Sequence, residues 1–156
     1  MKLSNKINQF LEDLLWCGHN GILNYLGNIL LYGWVRFLGH TLVRVKVINP
    51  LNSKEIDVDL LVDTGSTYTW VRCWKLKSLG LKPTGRRRFR TINGKIVERE
   101  VGEARIEYED EKATCMIVFG KEEDVEVLGV TALENLGLEV DPITKKLRKT
   151  EALLAV

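Results

Sequence analysis

Apolar residues along the chain follow two periodicities, which change over near Gly39-His40. Upstream, Ile7, Phe10, Leu11, Leu14 and Leu15 recur at helical spacing, and Ser4 is placed to cap the first turn. A Gly18-His19-Asn20-Gly21 turn leads into residues 22–38, which are apolar nearly all round except for a narrow stripe of Asn24, Asn28 and Arg36. That run is slightly short for a span and carries an arginine, so it favours an interfacial or protein-packed helix over a membrane-crossing one. Glu12-Asp13 ahead of it, with no small-residue cleavage pattern behind, argues against a signal peptide.

Downstream the period is two. Val43, Val45 and Val47 alternate with Arg44 and Lys46, Asn49-Pro50-Leu51-Asn52-Ser53 turns the chain, and Ile56, Val58, Leu60 and Val62 alternate with Asp57 and Asp59. These predict a hairpin of half-buried strands. A short helix over 72–79 closed by Gly80 comes next, then strands over 86–92, 95–108 and 113–119. Asn93-Gly94 joins the first two of these, a pair that suits a type I′ turn with both residues at positive φ. The chain ends with the apolar run 125–129, a helix over 131–136 stopped by Gly137, and a strand pair over 138–140 and 146–148. The pattern divides the chain into a helical extension, 1–38, and a mostly β domain, 39–156.

The chain's 156 residues, 45% of them hydrophobic, suffice for one packed core. A formal charge of +2 gives no reason to expect a nucleic-acid partner. The three cysteines, Cys17, Cys73 and Cys115, suit neither a disulfide framework nor a zinc site, which predicts reduced thiols in an intracellular, cytoplasmic protein. His19 beside Cys17 is too little for a metal site, and no cofactor is implied. Residues 21–38 offer a peripheral membrane contact.

The candidate chemistry sits in Leu60-Leu61-Val62-Asp63-Thr64-Gly65-Ser66-Thr67, an aspartate at the end of an apolar run. Alone, Asp-Thr-Gly is a weak signal that reads more readily as a turn cap. The apolar strand before it, the Asn-Gly hairpin downstream and a second apolar-glycine element, Val127-Leu128-Gly129, form a more specific set. With these, residues 39–149 resemble the retropepsin-like aspartic proteases, single-lobe relatives of pepsin that include small prokaryotic members. The resemblance implies a closed β-barrel of the acid-protease type with one or two short helices, and peptide-bond hydrolysis by a homodimer. It makes Asp63 the catalytic residue, with Thr64, Gly65 and Ser66 completing the active-site loop. Thr64 would link the two loops of a dimer, Gly65 would admit substrate backbone, and Ser66 would bond the outer carboxylate oxygen. Ile92, Asn93, Gly94 and Lys95 would form the flap tip, and Val127, Leu128 and Gly129 would pack under the loop. Thr67 and Val130 stand where retroviral members carry an acid and an arginine that brace the dimer.

Val140-Asp141-Pro142 lacks the Thr-Gly loop and reads as a turn, so one chain supplies a single candidate aspartate and an enzyme requires two chains. A catalytically silent peptide-binding or dimerisation module on the same fold is the alternative. The run Gly85-Arg86-Arg87-Arg88-Phe89-Arg90 reads as a solvated strand face ion-paired to Glu98, Glu100 and Glu103. Trp70 and Trp74 fit packing against the barrel as well as they fit a substrate pocket.

Overall fold

The computed structural model describes residues 41–151; the helical extension and its proposed membrane contact lie outside them. The elements are β1 (Leu42–Ile48), β2 (Glu55–Asp63), β3 (Thr69–Arg72), α1 (Cys73–Ser78), β4 (Gly85–Arg90), β5 (Ile96–Tyr108), β6 (Glu111–Gly120), β7 (Val127–Gly129), α2 (Val130–Asn135), β8 (Leu138–Val140) and β9 (Leu147–Lys149). The sheet order is β1-β2-β7-β3-β6-β5-β4, and a further β1–β5 pairing closes six strands into a barrel while β4 hangs outside on β5. β8 and β9 form a separate hairpin.

Alternation in the sequence becomes the barrel interior. Val45 pairs with Val58 and Val47 with Ile56 across β1 and β2, while Arg44 pairs with Asp59 and Lys46 with Asp57 on the outward face. Val45, Val47, Val58 and Leu60 are buried together with Ala104, Ile106, Ile117 and Leu128, and each valine, leucine or isoleucine side chain removed from water contributes about 1.5–3 kcal/mol. The loop after β1 is sewn to the end of α1. Asn49 and Asn52 both donate from Nδ2 to the carbonyl of Leu79, at 2.9 and 3.1 Å, satisfying an acceptor left over at the helix terminus.

Several expectations need correction. Residues 69–72, expected to lie in a loop and a helix start, form β3, held between β7 and β6. Because both its faces are covered, it has no period-two signature to read. The 86–92 and 95–108 strands begin or end one or two residues away, at Gly85–Arg90 and Ile96–Tyr108. Cys73 is disulfide-bonded, against the expectation of reduced thiols, whereas Cys115 is free and buried. Among the described residues, no helix is long and apolar enough to cross a membrane.

Candidate active site

β2 delivers Asp63 to the end of the barrel, and the chain then leaves the sheet through residues 64–68 before returning as β3. β7 fills the gap between those strands. It pairs parallel with β2, in the register Leu61 to Val127, Val62 to Leu128 and Asp63 to Gly129, and antiparallel with β3 through Trp70 and Val127. The Asp-Thr-Gly loop therefore arches over a strand that arrives from far downstream.

The arch is clamped by its backbone. Val130 N–H donates to the Ser66 carbonyl at 2.8 Å, and Thr131 donates to the Thr67 carbonyl from its N–H at 3.2 Å and from Oγ1 at 2.6 Å. The buried Thr69 hydroxyl accepts from Gly129 N–H at 3.2 Å. Contact is close enough that a Cβ on Gly129 would lie 2.4 Å from the carbonyl carbon and oxygen of Tyr68. Only glycine fits between the loop and what lies below. Thr69 and Thr131 carry no signal in the sequence, since a threonine in a strand or a first helical turn gives no sign that its oxygen is needed.

Within the loop, Gly65 N–H donates to Asp63 Oδ1 at 2.9 Å, and Ser66 N–H donates to the Asp63 carbonyl at 3.1 Å. Asp63 is half-buried, while Thr64 and Gly65 are exposed. The expected bond from Ser66 to the carboxylate is absent: Ser66 Oγ donates to the Tyr68 carbonyl at 2.9 Å instead, closing the turn on itself. Val127, Leu128 and Gly129 are all buried beneath.

The β4–β5 hairpin projects beside this loop. At its tip, Gly94 N–H donates to the Thr91 carbonyl at 2.9 Å and Thr91 N–H to the Lys95 carbonyl at 2.8 Å. Of Asn93 and Gly94 only the glycine has positive φ, +81°, so the tip is a type I-like turn followed by a left-handed glycine and not the expected type I′ turn. Ile92 is fully exposed at the tip. Just below its tip the hairpin leans on the segment after Asp63: the Phe89 ring meets Trp70 at 4.8 Å and Tyr68 at 6.2 Å, both edge-on.

A cavity of about 300 Å³ opens elsewhere, lined by Cys73, Arg86, Arg99, Glu100 and Phe119, and none of the Asp-Thr-Gly loop borders it. Among the described residues no group of three acidic, histidine or cysteine side chains is placed to hold a metal ion. Comparison with curated proteins gives no match. The arched Asp-Thr-Gly loop, the glycine beneath it and the hairpin beside it all fall within residues 43–140, which match the aspartyl protease family model over more than half of the chain, and the protein belongs to that retropepsin-like family.

Proposed function

We propose that the protein is an aspartic endopeptidase whose catalytic pair is Asp63 and Asp63 of the partner subunit in a two-fold dimer. The observation that carries this reading is the Asp63 loop, seated on Gly129 yet exposed at Thr64 and Gly65, with one such aspartate per chain. One ionised Asp63 removes a proton from water as the oxygen adds to the peptide carbonyl carbon. The neutral Asp63 of the partner subunit gives its proton to the carbonyl oxygen. Breakdown of the resulting diol returns a proton to the amide nitrogen, the C–N bond breaks, and a carboxylic acid and an amine leave. Two close carboxylates resist double ionisation, so the pair keeps the single shared proton that both steps need. Exposed Thr64 and Gly65 form the surface that meets the second loop.

The accepted Gly65 N–H is also what a turn-capping aspartate would make, so chemistry has to separate the readings. Asp63→Asn keeps size and the capping acceptor but cannot exchange the proton. Cleavage of a mixed peptide library should vanish while circular dichroism stays unchanged. Mixing variant with parent chains decides the stoichiometry. A shared pair makes every mixed dimer inactive, so activity should fall as the square of the parent fraction; a linear fall would mean that each chain works alone and would sink the dimer reading.

A further inference from the structure

The arginines on the two faces of β4 have different surroundings. On one face, Arg86 and Arg88 stand opposite Glu100 and Glu98 of β5, Arg90 stands opposite Ile96, and Arg86 lies 3.6 and 3.7 Å from the carboxylates of Glu98 and Glu100. On the other, Arg87 stands opposite Arg99. Arg99 is already satisfied by Asp124, at 2.6 and 2.9 Å, and by Glu123 at 3.5 Å. Like charges directly opposite one another are unfavourable, and among the described residues Arg87 makes no ion pair of its own. Its guanidinium instead donates to the Tyr68 hydroxyl at 2.8 Å and lies 5.4 Å from the centre of that ring. Phe89, on the same face, packs on Tyr68 and Trp70. Arg87 is therefore a cation without an ion pair that is turned toward the segment continuing from Asp63.

We propose that Arg87 is a specificity-determining residue that selects an acidic side chain in the peptide lying between the β4–β5 hairpin and the Asp63 loop. This rests on the protease reading for the peptide's presence and extends it to substrate class. Tyr68, Trp70 and Phe89 supply an apolar wall for the stem of a glutamate, and the guanidinium retains free N–H donors for a charge-assisted, two-pronged bond to its carboxylate. In a two-fold dimer the feature occurs twice, so the preference appears on both sides of the cleaved bond. Side chains of an extended peptide alternate in direction, so a glutamate acts at one position and not at its immediate neighbours.

The test uses the full chain and labelled peptides in pairs, glutamine against glutamate at one position after another. With the Asp63→Asn protein, which separates binding from turnover, one position on each side of the cleaved bond should show about tenfold tighter binding of the glutamate peptide at low salt, shrinking as salt is added. Arg87→Gln should bring the pair within about twofold of each other, and Arg87→Glu should turn the preference toward lysine. Arg88→Gln, on the opposite face of β4, should leave it intact. The parent enzyme should show the same preference in kcat/KM. Cleavage without an acidic preference at any position, or a preference that survives in Arg87→Gln, overturns the inference while the protease reading stands. Acidic preference in binding with no cleavage by the parent overturns the protease reading alone, and absence of both binding and cleavage overturns the two together.

Discussion

Two aspartates sit at strand ends, Asp63 closing β2 of the barrel and Asp141 just past β8 of the separate hairpin, and their surroundings differ. Asp141, at the turn between β8 and β9, accepts from the backbone N–H groups of Ile143 and Thr144 at 2.8 and 3.2 Å, and these bonds, Ile143 first, hold its carboxyl below the usual aspartate range. A depressed carboxyl contributes stability that is present above its unfolded pKa and is lost as pH falls through the folded value. Protection of the Ile143 and Thr144 amides, relative to their intrinsic exchange rates, should therefore fall as pH drops below the ordinary aspartate range, and Asp141→Asn should remove that loss. Protection that stays constant with pH would show that the bonds do not form in solution. Among the described residues the Asp63 carboxylate accepts a single hydrogen bond, from Gly65 N–H, which leaves its other oxygen available for other work. The supporting glycine gives the sharper stability test. Gly129→Ala places a Cβ against backbone atoms of Tyr68 that the clamp prevents from retreating, so a loss of about 3 kcal/mol is expected in denaturant unfolding. An unchanged midpoint would mean that the loop does not rest on β7.

Among the elements, those with one covered face are readable in the sequence and those covered on both are not. β1, β2, β5 and β6 alternate because one side meets the core and the other meets water, so the spacing of Val43, Val45 and Val47 is enough to mark a strand. β3 presents Thr69, Val71 and Arg72 to buried surroundings and carries no such pattern. Charge on β3 is likewise hidden. Arg72 is buried beside Glu126, which is itself 3% exposed, accepts the Arg72 N–H at 2.9 Å and meets Lys75 Nζ at 2.8 Å, a pairing that no spacing in the chain foretells. The Asp-Thr-Gly loop and Val127-Leu128-Gly129 are legible as motifs, whereas Tyr68 and Phe89 join the candidate site only because β4 leans on the loop, a contact between segments some twenty residues apart that periodicity does not encode. At the hairpin tip the Asn-Gly pair locates the turn correctly but misleads on its type, since three connecting positions admit a type I turn followed by a left-handed glycine. Gly94→Val puts a β-branched residue at φ +81° with open space around it, at a cost of roughly 1–2 kcal/mol. Turnover should fall well beyond that loss, because a tip that must close over substrate depends on its shape; unchanged peptide cleavage would place closure elsewhere.

At the scale of the molecule, the proposed dimer needs a source of attraction between its two half-sites. Thr67 and Val130 occupy the positions where a charged brace would stand, and both use backbone atoms within their own chain: the Thr67 carbonyl accepts from Thr131 and the Val130 N–H donates to Ser66. Neither side chain can form an ion pair, so attraction between loops has to come from hydrogen bonds and apolar contact, which salt screens little. Activity per chain should consequently fall on dilution, with the rate approaching second order in protein concentration once dimers dissociate. The concentration of half-maximal specific activity should change little between low and high salt. Following cleavage of a fluorogenic peptide over a dilution series at two ionic strengths checks both parts. Specific activity that stays constant at every dilution, with sedimentation showing monomers, would mean that a single Asp63 suffices; strong weakening of the dimer by salt would mean that charged groups outside the loops hold it together.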